Sequence, residues 1–162
     1  MMAAMADTTA VADLTLEDLL ARIAGGTVTP GAGAAGAVAL ALAAACAGKA
    51  VSVTLKHRPD EARLLSAEAA FQAIARDALT EADRDSAAFG AFVHEGSAAT
   101  ADRLVREGER FAQLIAALTA AIDEVADSIQ CNMAGDIVAA RALAAAARRI
   151  QQRNEGEALN VR

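Results

Sequence analysis

Apolar residues recur at every third or fourth position along most of the chain, which is the period of an α-helix with one buried face. This pattern predicts a first helix that begins near Thr15 and ends at Gly25-Gly26. A second helix is predicted from about Gly31 to Lys56, and its residues are apolar on almost every side. A helix of that kind is normally buried all round, so we expect it at the centre of the fold.

Three further long helices are predicted, with short turns between them. They cover about residues 60–94, 97–130 and 136–153, and each boundary carries a glycine, a proline or a capping residue. Because short turns between long helices favour antiparallel neighbours, we predict an all-α fold, an up-and-down bundle of about five helices around the Ala-rich second helix. The domain should cover residues 13–153, between a flexible tail at 1–12 and a frayed tail at 154–162.

The second helix has an unusual start, with the sequence Thr29-Pro30-Gly31-Ala32-Gly33. We expect Pro30 in the first helical turn, where its missing N–H group costs nothing. Gly31 and Gly33 leave the first backbone N–H groups uncovered by side chains. Such a helix N-terminus can hold an anionic or strongly polar group, or it can let another helix pack very close. The pattern alone leaves both uses open.

The predicted third helix carries carboxylates on its core-facing side. Two apolar rows with a spacing of seven form this side, one with Leu64, Phe71, Ala78 and Phe92, the other with Ala67, Ile74 and Ala88. Asp85 stands in the first row and Glu81 in the second. A carboxylate in a core must be paired, hydrogen-bonded or protonated, and such groups are candidates for a functional site. For Asp85 a catalytic role and a structural ion pair both remain open.

Polar residues also interrupt the apolar second helix. Lys49 is a lone charge, and its long side chain either carries the ammonium group to the surface or makes it the buried partner of Asp85. The hydroxyl of Thr54 either bonds back to its own helix or faces a ligand. Asp83 and Arg84 fall on the other faces of the third helix, where we expect solvated charges.

Composition supports the helical prediction and narrows the function. The chain is rich in alanine, and its four aromatic residues are all Phe, so the usual strand signals are missing. The net charge is −6 and there is no basic stripe, so we expect no nucleic-acid partner. Cys46 and Cys131 lack metal-ligand spacing, so we expect reduced, buried thiols and no metal ion.

The apolar second helix also bears on where the protein is located and how it assembles. Residues 23–48 carry no charge and could span a bilayer by length. They are mostly Ala, Gly and Thr, which favour insertion only weakly, so we expect a core helix and no membrane partner. The N-terminus lacks the pattern of a signal peptide, which favours the cytoplasm. Complete burial of so long a helix in a chain of 162 residues is easier with a second subunit, so we expect a homodimer or higher homo-oligomer.

Four short motifs resemble those of the cyclodeaminase/cyclohydrolase family. They are Thr29-Pro30-Gly31-Ala32-Gly33, Val53-Thr54-Leu55-Lys56, Asp85-Ser86-Ala87-Ala88-Phe89 and Gly135-Asp136-Ile137-Val138-Ala139-Ala140. Their order and spacing agree with the family from about Leu16 to Ala147. The family includes the cyclodeaminase domain of formiminotransferase-cyclodeaminase and the stand-alone methenyltetrahydrofolate cyclohydrolases.

The resemblance implies an all-helical dimer that acts on the one-carbon unit bridging N5 and N10 of tetrahydrofolate. It implies that Asp85 is the general base or acid and that the helix start at Gly31 and Gly33 receives part of the folate. Thr54, Lys56 and Asp136 are implied to line the same pocket, and Lys49 is grouped with them as a candidate substrate-binding residue. No cofactor is implied besides the folate substrate.

The chain also departs from the family motif. Ala32 replaces the middle glycine and Ala34 the following serine, which removes a polar contact from the expected site. A domain without a transferase partner favours the cyclohydrolase reaction over cyclodeamination. Two other interpretations stay open: a non-catalytic helical homodimer or subunit that keeps the fold, and an enzyme of this fold that acts on a different small cyclic substrate.

Overall fold

The computed structural model describes residues 9–159, and helices make up most of this stretch. Its five α-helices are α1 (Leu16–Ala24), α2 (Ala32–Leu55), α3 (Ala62–Glu95), α4 (Ala98–Val125) and α5 (Ala134–Leu159). Short 3-10 turns lie at Val11–Asp13, Ala126–Ser128 and Cys131–Met133. The described residues contain no strand, so the predicted all-α fold with five helices is confirmed.

The four long helices form an antiparallel bundle. α2 packs against α3 and α5, and α4 packs against the same two helices from the opposite side. The contacts of α2 with α3 fix their directions, because Gly33 lies against Asp85 while Gly48 lies against Phe71. The largest fully buried side chains include Leu40 and Val51 of α2, Leu64 and Phe71 of α3, and Leu118 and Ile122 of α4. The apolar side of α3 therefore faces the core, as the spacing of seven predicts.

Local sequence explains where the helices begin and end. Thr15 caps α1, because its hydroxyl oxygen accepts a hydrogen bond of 3.1 Å from the Asp18 backbone N–H. Ser97 and Thr100 form a capping box at the start of α4. α3 ends at Gly96, its C-cap, whose φ of 60° lies in the left-handed region that favours glycine.

Some predicted boundaries are wrong. Pro30 precedes the N-cap, Gly31, instead of standing in the first turn of α2, and the Thr29–Pro30 peptide bond is cis. α4 ends at Val125, before the predicted end near 130, because the chain continues into two 3-10 turns. α5 extends to Leu159, so residues 154–159 are helical where fraying was expected.

The N-terminal segment is attached to α3 just before α1 begins. The predicted tail at 1–12 falls partly on residues 1–8, which lie outside the described residues. Val11 is buried, and its N–H group donates a hydrogen bond of 2.9 Å to Oδ1 of Asp83. Asp83 therefore holds this segment, and the expectation that it is only a solvated charge is wrong.

α2 is the centre of the bundle but is not buried on every side. Its outward face carries Ala35, Val38, Leu42 and Ala45, and the Leu42 side chain is 52% exposed. The helix is long and apolar enough to cross a membrane by length and composition, with a mean hydropathy of 1.8, yet half of that stretch is buried within the chain. We refer to the exposed stripe of these four residues as the outer face of α2.

Both cysteines are unpaired thiols. Cys46 is half-buried on α2, whereas Cys131 is exposed in the last 3-10 turn. The expectation of reduced thiols agrees with this, but the expected burial of Cys131 is wrong. Its turn lies at the surface between α4 and α5.

Candidate active site

A small cleft lies where all four long helices approach one another at one end of the bundle. Its lining comprises Gly33 and Ala37 of α2, Glu81 and Asp85 of α3, Glu107, Gly108 and Phe111 of α4, and Gln151 of α5. Its free volume is ≈ 10 Å³, about that of one water molecule. Among residues 9–159, no three His, Cys, Asp or Glu side chains are grouped as metal ligands. The lining combines three carboxylates and an amide with glycine and apolar residues, and the cleft of one chain is too small for a substrate with rings.

The carboxyl group of Asp85 packs directly on Gly33. A β-carbon added at Gly33 would overlap the carboxyl carbon and both carboxyl oxygens of Asp85. Gly33 is the second residue of α2, where backbone N–H groups have no partner within the helix and the helix dipole is positive. Of the two uses that the sequence left open, the structure therefore shows the close approach of another helix, since Gly33 lets α3 and its Asp85 side chain pack against the first turn of α2.

Burial changes the proton affinity of this carboxyl group. The pKa of Asp85 rises from its ordinary 3.8 to about 6, mainly because burial disfavours the charged form and secondly because the Glu81 charge lies nearby. An acid with such a pKa exists in both protonation states near neutral pH. It can therefore accept a proton and return it within one reaction.

Glu81 is the second carboxylate of the cleft. Its side chain is 5% exposed, and Oε1 lies 2.5 Å from the guanidinium of Arg84. Arg84 is thus the ion-pair partner of a buried carboxylate, and the expectation that it is an ordinary solvated charge is wrong. Across the cleft, Glu107 forms an ion pair of 3.0 Å with Arg110.

The remaining predicted site residues lie at the opposite end of α2. Thr54 follows Gly33 by twenty-one residues, which corresponds to about 30 Å along a helix. Lys56, just beyond the end of α2, is exposed. Within one chain, the residues implied to share a pocket therefore form two groups: Gly31, Gly33 and Asp85 at one end, and Lys49, Thr54, Lys56 and Asp136 at the other.

The residues of the second group make their polar contacts with one another or with nearby backbone groups, not with Asp85. The ammonium of Lys49 lies 3.5 Å from Oδ1 of Asp136, and the Lys49 side chain is 65% exposed. The alternative of Lys49 as the buried partner of Asp85 is therefore wrong. Thr54 is fully buried, and its hydroxyl donates to the carbonyl of Ala50 at 2.8 Å and accepts from the N–H of Gln130 at 3.3 Å. The interpretation that Thr54 bonds back to its own helix is confirmed.

Five of the eight lining residues were not predicted as site residues from the sequence: Ala37, Glu107, Gly108, Phe111 and Gln151. Nε2 of Gln151, a residue only 6% exposed, donates to the carbonyl of Gly108 at 2.9 Å and to Oε1 of Glu155 at 3.1 Å. A β-carbon at Gly108 would lie 2.8 Å from that nitrogen. The one available signal was the isolated glycine inside a helical pattern, which often marks a close approach of another group.

Ala34 bears on the departure from the family motif. Its side chain is fully buried and does not line the cleft. A serine hydroxyl in this place would start in the core, not on the cleft surface. The alanine therefore removes no polar group from the cleft wall of a single chain.

The contact between Gly33 and Asp85 predicts a specific sensitivity. Gly33→Ala should lower the free energy of unfolding by about 1–3 kcal/mol, because the new methyl group displaces the Asp85 carboxyl. Gly135→Ala is the matched control: Gly135 is the second residue of α5, and a β-carbon there meets nothing within 4 Å. Urea unfolding at neutral pH measures both variants, and equal stability would contradict the packing of Asp85 on Gly33.

The raised pKa of Asp85 also predicts a pH dependence of stability. Between pH 3.8 and about 6, the folded chain keeps a proton that the unfolded chain has released, so this residue's contribution to stability is lost as pH rises through that window. Relative to wild type, Asp85→Asn should therefore gain up to about 3 kcal/mol between pH 3.5 and 7.5. Urea unfolding at both pH values measures this gain. The exposed variant Asp77→Asn should show no such gain, and a flat difference for Asp85→Asn would exclude a raised pKa.

Comparisons with known proteins show which proteins this chain is similar to. A family model described as formiminotransferase-cyclodeaminase matches residues 15–101, which include α1, α2 and α3 and thus both Gly33 and Asp85. The solved structure of formiminotetrahydrofolate cyclodeaminase from Thermotoga maritima has the same fold, with a TM-score of 0.87, 21% sequence identity, and coverage of 93% of this chain and 80% of that chain. No curated protein is significantly similar in sequence. Because the family model spans more than half of the sequence, the chain belongs to the formiminotransferase-cyclodeaminase family.

Proposed function

We propose that the chain is an enzyme of tetrahydrofolate one-carbon chemistry that hydrolyses the methenyl bridge of 5,10-methenyltetrahydrofolate. The observation that carries this proposal is the Asp85 carboxyl group, which packs on the first turn of α2 with a pKa of about 6. The family supports a folate-like ligand. Hydrolysis needs one group that exchanges a proton near neutral pH, and Asp85 meets that requirement.

Asp85 has a defined part in each step of this hydrolysis. As the carboxylate it removes a proton from water while the water oxygen bonds to the bridging carbon. As the acid it then returns that proton to N5, the C–N5 bond breaks, and a formyl group remains on N10. The second proton of the water is released when the carbonyl forms. The reaction forms a C–O bond and breaks a C–N bond without a change of oxidation state, so we propose that it uses no further cofactor.

The charge of the cleft supports a cationic substrate. The methenyl bridge is an amidinium carbon with a positive charge, and the carboxylates of Glu81, Asp85 and Glu107 line the cleft. Negative groups placed before the substrate arrives attract this cation and favour its binding. The same carboxylates disfavour a substrate with an anionic reacting group.

Cyclodeamination is the second candidate. The solved structure of the same fold from Thermotoga maritima is named a formiminotetrahydrofolate cyclodeaminase. In that reaction N10 attacks the formimino carbon, ammonia leaves and the methenyl bridge forms. The proton that N10 loses and one proton from Asp85 in its acid form both go to the leaving nitrogen, which departs as ammonia. Both reactions use the same bridging carbon and the same carboxyl group, so a substrate assay separates them.

We further propose that the enzyme is a homodimer in which two α2 helices pack antiparallel through their outer faces. One chain leaves only ≈ 10 Å³ in the cleft, and it separates Lys49 and Lys56 from Asp85 by most of the length of α2. A two-fold axis near Leu42 and Ala45 places Lys56 of the partner subunit opposite Gly31.

The same pairing accounts for the composition of α2. Its outer face is apolar from Ala35 to Ala45 and polar only beyond, where Lys49 and Ser52 begin. Burial of this stripe in a dimer removes apolar surface from water, and burial of apolar surface drives association. Because the dimer would cover this apolar stripe, we infer that α2 is a core helix. We also infer a cytoplasmic protein without a membrane or nucleic-acid partner.

Purified protein should accelerate the loss of the methenyl chromophore of 5,10-methenyltetrahydrofolate at neutral pH. Asp85→Asn should lower kcat by roughly 10²–10⁴-fold, because the amide cannot exchange the proton. Absorbance of the methenyl group measures the rate. Asp77→Asn removes a carboxylate from an exposed position on the same helix and should keep the wild-type rate.

Further outcomes separate the candidate functions. Ammonia release from formiminotetrahydrofolate without methenyl hydrolysis would favour cyclodeamination. Absence of both activities, together with no thermal shift from a folate analogue, would favour a non-catalytic subunit. A full rate in Asp85→Asn would remove Asp85 from the mechanism.

The dimer is tested separately by Leu42→Glu. This change places a charge at the centre of the outer face of α2 and should shift the molar mass measured by light scattering from two chains to one, with loss of activity. Leu65→Glu on the outer side of α3 is the matched control, since Leu65 is 47% exposed and Leu42 is 52% exposed. A wild-type mass of one chain, or a dimeric Leu42→Glu variant, would contradict the proposed pairing.

A further inference from the structure

We propose that the buried ion pair of Glu81 and Arg84 controls the charge state of Asp85, with Glu81 as a positioning residue for the reaction. Glu81 precedes Asp85 by one helical turn on α3, so the two side chains lie on the same side of the helix. Both line the same cleft. The part that concerns catalysis rests on the proposed function, whereas the part that concerns the charge of Asp85 does not.

Burial keeps the Glu81 charge unscreened. The whole residue is only 4% exposed, so little water lies around its carboxylate. A buried carboxylate is normally compensated by an opposite charge. Arg84 supplies it at 2.5 Å, reaching in from the surface with a side chain that is 45% exposed. The result is a negative charge held in a fixed place beside Asp85.

The other helices offer Asp85 no charge of comparable effect. From α4, Glu107 also faces the cleft and is paired with Arg110, as Glu81 is with Arg84, but of the two carboxylates it is the Glu81 charge that acts on the pKa of Asp85. From α5, the facing residue is Gln151, which is uncharged and donates its amide hydrogens to Gly108 and Glu155. From α2, only Gly33 and Ala37 line the cleft. Apart from burial, Glu81 is the group that raises the pKa of Asp85.

The two partners should act in opposite directions. Loss of the Glu81 charge makes the ionised form of Asp85 less costly and lowers its pKa. Loss of the Arg84 charge leaves Glu81 uncompensated and raises the pKa of Asp85. A purely structural ion pair would affect folding in both cases, but it would not shift the titration of a neighbouring group in opposite senses.

The test is the titration of Asp85 itself, followed by the ¹³C chemical shift of its carboxyl carbon in the full chain. Glu81→Gln keeps an oxygen for Arg84 and should lower the midpoint by about half a pH unit or more. Arg84→Gln should raise the midpoint, and Glu81→Asp, which keeps the charge, should restore most of the wild-type value. Asp77→Asn, an equal change of charge at an exposed site one turn earlier on α3, should leave the midpoint unchanged.

The pH profile of kcat/KM gives the catalytic readout. Its acidic limb should move with the Asp85 midpoint, to lower pH in Glu81→Gln and to higher pH in Arg84→Gln. An unchanged Asp85 midpoint in Glu81→Gln overturns the inference, and if that variant fails to fold, an unchanged midpoint in Arg84→Gln does so. Shifted midpoints without activity on either folate would uphold control by Glu81 and reject the proposed function instead.

Discussion

The contact between Asp85 and Gly33 is the constraint on which the rest of the site depends. Most positions on α2 are small, so its surface has few large side chains that could fix how far α3 slides along it. At Gly33 only glycine is compatible with this packing, because the β-carbon of any other residue would collide with the Asp85 carboxyl group. This contact fixes the register of α2 and α3 at the end where the cleft forms, and the contact of Gly48 with Phe71 fixes it further along the helices. The burial of Asp85, and with it the raised pKa, follows from that register.

The fold was predictable because its signals are local. A spacing of seven identified the core side of α3, including Asp85 and Glu81, and caps at Thr15 and Ser97 marked helix starts. The resemblance to the family added a candidate role for Asp85, which periodicity had already singled out. The predictions that failed concern mainly the ends of helices. The sequence does not distinguish an α-helix that ends at Val125 from one that continues through the 3-10 turns that follow.

The lining of the cleft was less predictable, since it depends on contacts between distant parts of the chain. Gln151 and Gly108 are hydrogen-bonded although forty-three positions separate them in the sequence, and no pattern within α4 or α5 predicts that contact. The separation of Thr54 from Asp85 has a similar cause. The motifs in family order identified the candidate site residues. The length of α2 shows that these residues lie at opposite ends of one helix. Such a site is specified by helix length and register, which a list of motifs does not contain.

The alanine and glycine content of α2 has a consequence for how this sequence can change over evolutionary time. Its buried positions are mostly Ala and Gly, so almost every substitution adds atoms to a close-packed interior. Cavities, the usual damage in cores built from Leu and Phe, hardly arise there. Divergence should therefore accumulate on the larger side chains that face α2, whose volume can shrink or be redistributed, while the smallest residues of the bundle stay nearly invariant.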